Sequence, residues 1–164
     1  MIRLNNGPRT IVKMLSDHEL ALKELYQTYA AKLPSLKDFW LSLAEDEQRH
    51  SDWLQSLISH AGTDDSQDLG CWPRSAAVAS SLKYIRAQTT RAKQGEITLL
   101  VALAIAKDLE SALLEKEFFR VADGTSPKVR AVLGRLVAAT ERHGRAVMKA
   151  LDAAKCAAPG PQRA

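Results

Sequence analysis

Two short segments of the chain carry an Arg-His pair in the same helical context. The first reads Glu47-Gln-Arg-His50, and the second reads Thr140-Glu-Arg-His143. Residues three apart lie on nearly the same face of a helix, about 60° around its axis. Glu47 and His50 can therefore reach one metal ion together, through a carboxylate oxygen and an imidazole nitrogen. The second segment keeps the histidine but has a hydroxyl group in place of the carboxylate.

Four segments of the sequence each carry an apolar seam that polar residues interrupt once. The interrupting residues are Glu19, Glu47 with His50, Glu110, and Thr140 with His143. A carboxylate on a buried seam is costly unless its charge is compensated. Three carboxylates and two imidazoles that meet in one layer therefore predict a site for divalent metal ions. Bundles that bind two metal ions use the same pattern, with a Glu from each of two helices and Glu-x-x-His from the other two.

The elements that must position these residues are helices. The chain has 164 residues, of which 46% are hydrophobic, and its Val and Ile residues do not form alternating runs. This composition favours one all-α domain. The predicted helices span about 16–32, 35–61, 75–93, 98–122 and 126–155. We expect a single helical domain over residues 1–157 and a disordered tail over 158–164.

The helix boundaries rest on capping signals. Ser16 and Glu19 have the spacing of a capping box, which predicts that the first helix begins there. Ser126 followed by Pro127 predicts the start of the last helix. The first, second, fourth and fifth helices form two similar hairpins, and two such hairpins make a four-helix bundle. The helix over 75–93 remains as a crossover that covers one end of the bundle or packs against a second subunit, as in a homodimer.

Composition also argues against several classes of protein. The longest apolar run, residues 97–106, is too short to cross a bilayer, and the N-terminus has no apolar signal core. A cytoplasmic location is therefore expected. The net charge of +4 comes from scattered basic residues, which argues against nucleic-acid and membrane partners. Cys71 and Cys156 form no Cys-x-x-Cys pair, so both are expected to be free thiols.

Four stretches make the chain resemble the rubrerythrin-like branch of the ferritin-like superfamily: ELALKELYQTYA, LAEDEQRH, TLLVALAIAKDLESALLEKEFF and LVAATERH. The resemblance implies a ferritin-like four-helix bundle with an additional crossover helix. It implies a non-haem iron site with one or two ions, although other divalent metals would suit the same residues. The implied ligands are Glu19, Glu47, His50, Glu110 and His143, with Glu47 bridging the two metal positions.

The sequence departs from this family in two respects. A second bridging glutamate of the family falls on Thr140, and Glu141 does not replace it, because Glu141 lies about 200° around the helix from His143. Weaker binding of the second metal ion, or occupancy by a single ion, is therefore expected. The chain also has no cysteine pairs for the rubredoxin-like domain of typical rubrerythrins. An active protein would need a separate electron-donor protein.

Several of these residues could also have a role other than metal binding. Glu19 and Glu110 could be partly exposed charges at the ends of the bundle, and His143 could be a core histidine that bonds a polar neighbour. Tyr26 could donate a hydrogen bond to a metal-bound carboxylate, but simple core packing is the alternative. Residues 45–46 are expected to form part of a solvated charged face.

The sequence leaves three functions open, and it identifies no catalytic residue. The first is a rubrerythrin-like metal protein that handles oxidants, with a peroxide-reducing oxidoreductase activity. The second is a bundle with a vestigial metal site that acts as a structural or partner-binding module, which the loss of the carboxylate at Thr140 motivates. The third, iron storage or shielding of DNA, is disfavoured because the chain has no basic tail.

Overall fold

The computed structural model describes residues 8–60, 75–115, 118–119 and 126–158. Over these residues the protein is helical and contains no strand, which confirms the all-α class. The elements are α1 (Pro8–Lys32), a short 3-10 helix (Pro34–Leu36), α2 (Lys37–His60), α3 (Ser75–Gln94), α4 (Leu99–Glu115) and α5 (Pro127–Ala157).

The first helix begins earlier than its capping signal predicts. Ser16 lies inside α1, fully buried, and its hydroxyl group is 2.8 Å from the hydroxyl group of Ser51 in α2. The predicted capping box is therefore wrong. Ile11, Val12 and Leu15 extend the buried stripe of α1 toward the N-terminus, and burial of this stripe favours continuing the helix through Ser16.

The other boundaries agree with the sequence except at the end of α4. Ser126 caps α5 as predicted, since its hydroxyl group accepts a hydrogen bond from the Val129 amide. The predicted continuation of α4 to residue 122 is wrong, because Phe118 and Phe119 form a turn with both rings buried. The Phe118 amide donates to the Leu113 carbonyl group instead of continuing the helical pattern.

The helices pack as two neighbouring pairs, α1 with α2 and α4 with α5, and α2 also contacts α5. Trp40 of α2 fills the space beside α1, where its ring contacts Tyr26 and Tyr29. The crossover helix α3 packs along α1 and buries Val78 and Ile85. It therefore lies against the first helix pair, and a homodimer stays a prediction.

None of the described helices combines the length and hydropathy that a membrane span requires. Cys156 is an exposed free thiol near the end of α5. Cys71 and the loop around it lie outside the described residues, as does nearly all of the tail that the sequence predicts to be disordered.

Candidate metal centre

The structure brings all five candidate ligands into one buried cluster between the helix pairs. Glu19, Glu47 and Glu110 are each only 1% exposed to solvent. They lie among the buried seam residues of their helices, such as Leu15 and Leu22 on either side of Glu19. The alternative that Glu19 and Glu110 are partly exposed charges at the ends of the bundle is therefore wrong. His50 and His143, from α2 and α5, are buried beside them.

The five side chains form two groups that share one residue. In the described part of the chain, ligand atoms of Glu19, Glu47 and His50 lie within 4.8 Å of one another, and so do those of Glu47, Glu110 and His143. Glu47 belongs to both groups. Each group offers two carboxylates and one imidazole, a donor set that binds divalent transition metals.

Short contacts connect the α1 and α2 ligands. His50 Nδ1 lies 2.8 Å from Glu47 Oε2 and 3.2 Å from Glu19 Oε2, so its nitrogen faces both carboxylates. The rings of His50 and His143 stack with their centroids 5.3 Å apart. The two histidines therefore meet at the boundary between the helix pairs.

The α4 and α5 ligands face each other with polar atoms that remain unpaired. His143 Nδ1 lies 3.0 Å from Glu47 Oε1 and 3.6 Å from Glu110 Oε1, but it forms a hydrogen bond with neither oxygen. Among the described residues, His143 Nδ1 and Glu110 Oε2 have no hydrogen-bond partner. Buried polar atoms rarely stay unpaired without a reason. Buried nitrogen and oxygen atoms that lie close together without a hydrogen bond between them are arranged as ligands of one cation would be.

Two further residues hold the ligands from outside the cluster. Asp46 accepts a hydrogen bond from His143 Nε2 at 3.0 Å and also pairs with the Arg49 guanidinium group. With the proton on Nε2, the Nδ1 lone pair of His143 is directed toward the carboxylates, as in many metal sites. The Tyr26 hydroxyl group donates to Glu110 Oε1 at 2.6 Å. Tyr26 thus combines the two roles that the sequence left open, packing in the core and bonding a candidate ligand.

The sequence alone does not identify Asp46 as a neighbour of the site. Its place beside Glu45 in a charged run predicts a solvated side chain, whereas it is only 24% exposed. The feature of the sequence that could indicate its role is its position one residue before Glu47, because a residue next to an inward-facing ligand borders the neighbouring helix. The sequence does not show that this neighbour is α5 or that His143 faces it.

Mutual contacts shift the pKa values of the cluster. Burial disfavours the imidazolium form of both histidines, but contacts with carboxylates outweigh burial and raise the pKa of His50 to about 9 and that of His143 to about 10. Burial and repulsion by Glu19 raise the pKa of Glu47 to about 7. Burial alone would also raise the pKa of Glu19, yet its contacts with histidines hold that pKa far below the usual value.

The register that the sequence predicts for α5 is confirmed by burial. Thr140 and His143 are buried on the inner face of the helix, and Glu141 is exposed. Glu141 therefore does not replace the missing carboxylate. Metal binding by the five clustered residues stays a prediction.

No protein-family model, no curated protein and no solved structure matches the chain.

Proposed function

We propose that the chain is a non-haem metal protein that binds two divalent metal ions, with iron as the native metal. The observation that carries the proposal is the sharing of Glu47 between two buried ligand groups. A single buried Glu-His contact is common in protein cores. Two overlapping groups with unpaired inward-facing atoms are much harder to explain without bound cations.

The residues divide naturally between two metal positions. Glu19, Glu47 and His50 would hold one ion, and Glu47, Glu110 and His143 would hold the other. Two divalent ions bring four positive charges against the charges of three carboxylates, so they would compensate the acids that the core buries. Carboxylate and imidazole donors suit iron, manganese and zinc alike. The resemblance to rubrerythrins favours iron and a ferritin-like arrangement of the helix pairs.

We infer an oxidoreductase activity toward peroxide. Bound iron would supply the reducing electrons and an open coordination position for the oxidant. The protein's own residues prepare this chemistry. Burial of all five ligands limits access of water, Asp46 keeps the proton of His143 on Nε2, and the Tyr26 hydroxyl group holds Glu110 in one orientation. A separate donor protein would return the electrons.

The first test is the number of metal ions bound. Protein freed of metal with a chelator is titrated with ferrous iron without oxygen, and bound metal is measured by elemental analysis. We expect two ions per chain in the wild type and in Glu141→Gln, an exposed neighbour that serves as the control. Glu19→Gln and Glu110→Gln should each bind one ion. Loss of peroxide by the iron-loaded protein, with oxidation of the iron, then tests the activity.

The second candidate is a metal-free structural or partner-binding module. The buried Thr140 favours it, because a hydroxyl group stands where a carboxylate would complete the ligand set. No metal uptake by the wild type under the same conditions would support this candidate and contradict the metal protein.

A further inference from the structure

A third histidine joins the crossover helix to the candidate metal centre. His18 precedes Glu19 in α1 and is 1% exposed, and its ring meets Phe118 edge-on. Its Nε2 atom lies 2.8 Å from the hydroxyl group of Ser81 in α3. Its other nitrogen, Nδ1, lies 3.5 Å from Glu19 Oε1. His18 therefore stands between α3 and the carboxylate that α1 contributes.

The two facing atoms of this pair have no other partner. Neither His18 Nδ1 nor Glu19 Oε1 makes a hydrogen bond with any of the described residues. Their separation is slightly longer than a good hydrogen bond, and a small rotation of the carboxylate group would close it. The other oxygen, Glu19 Oε2, faces His50 across the cluster. Glu19 thus has one oxygen toward the ligands and one toward His18.

We propose that His18 is a positioning residue for Glu19 and that α3 fixes it through Ser81. The Ser81 hydroxyl group donates to Nε2, which places the ring proton on Nδ1. Nδ1–H then donates to Glu19 Oε1 and leaves Oε2 for the metal. Partners of this kind orient a ligand without touching the metal. The proposal rests on the proposed metal binding and gives α3 a role in it.

The position of His18 also sets which metal ion it affects. Glu19 belongs only to the group with Glu47 and His50, whereas the other group consists of Glu47, Glu110 and His143. Loss of His18 should therefore weaken one metal position and leave the other almost unchanged. A general loss of core packing would weaken both.

The test is a titration of the chelator-treated protein with Co²⁺, followed by calorimetry and by the visible absorption of the bound ion. Glu19→Gln identifies which binding step depends on Glu19. We expect His18→Leu to weaken that step by about 10- to 100-fold, and Ser81→Ala to weaken it less. His18→Asn should restore much of the affinity and the absorption spectrum, because its amide nitrogen can take the place of Nδ1.

A matched control separates positioning from packing. Thr89 is another buried polar residue of α3, and its hydroxyl group donates a hydrogen bond to the Ile85 carbonyl group of its own helix. Thr89→Val should leave both Co²⁺ steps unchanged. Unaltered affinity in both His18→Leu and Ser81→Ala would overturn the proposal, as would equal weakening of both steps. Failure of the wild type to bind Co²⁺ would instead overturn the metal site itself.

Discussion

Replacing Glu47 by glutamine should abolish metal binding at both positions and, at the same time, stabilise the metal-free protein. Glu47 belongs to both ligand groups, so its loss affects two ions, whereas the loss of Glu19 or Glu110 affects one. Glutamine has nearly the same shape as glutamic acid but carries no charge. The substitution therefore removes the repulsion from the neighbouring carboxylates without opening a cavity.

The size of the stabilisation follows from the pKa of Glu47. Burial and repulsion by Glu19 raise that pKa from 4.5 to about 7. A carboxyl group with a raised pKa favours folding when protonated, and this contribution is lost as the pH rises from the unfolded value through the folded one. Above pH 7, ionised Glu47 therefore costs about 3 kcal/mol of folding free energy, which glutamine avoids. For a chain of this size, that corresponds to about 6–12 °C in Tm.

The assay is thermal unfolding of the chelator-treated protein, followed by circular dichroism at pH 5 and at pH 8.5. We expect Glu47→Gln to raise Tm at pH 8.5 and to change it much less at pH 5. Glu141→Gln, in which an exposed carboxylate is replaced, should match the wild type at both values. A lower Tm for Glu47→Gln at pH 8.5, or two metal ions still bound to it, would refute the reasoning.

Three further expectations concern the same centre. Metal binding should release protons and should strengthen as the pH rises from 7 to 10. His50 and His143, with pKa values of about 9 and 10, must lose a proton before they can bind a metal ion. Calorimetry in buffers of different ionisation enthalpy measures this release. The contacts of these imidazolium groups stabilise the metal-free protein fully below pH 6.5, and this stabilisation is lost as the pH rises through the folded pKa values of about 9 and 10. Tyr26→Phe should weaken one Co²⁺ step by several-fold and lower unfolding free energy by about 1 kcal/mol, measured by urea denaturation, because the hydrogen bond to Glu110 is lost. Thr140→Glu should tighten metal binding in a Co²⁺ titration, yet lower the Tm of the metal-free protein by adding another buried acid.

The helical class and the clustering of the candidate ligands could be predicted because both follow from periodicity. Apolar residues on one face of each helix must be buried, and a polar residue on the same face is buried with them. Burial of Thr140 with exposure of Glu141 follows from the same rule. Periodicity within one helix was enough to place each ligand on the inner side.

Contacts between different helices do not follow from periodicity. The side chains of Asp46 and His18 each border a helix far away in sequence, and only the packing of α5 and α3 shows what they touch. Capping signals also failed at Ser16, because burial of the earlier turns of α1 outweighed a local preference. The role of a side chain at the edge of a buried face depends on which neighbour packs there.

Two of the acids that α2 carries before its Arg-His pair have no counterpart at the matching positions of α5. Where α2 has Asp46 and Glu47, α5 has Ala139 and Thr140, and both of these residues are buried. On α2, the first acid holds the histidine of the opposite helix and the second belongs to both ligand groups. Ala139 cannot hold the α2 histidine in the same way. The two helices therefore differ in more than one ligand. Because α2 provides both the shared carboxylate and the acid that bonds His143, replacing Thr140 by glutamate alone would leave the two metal positions unequal.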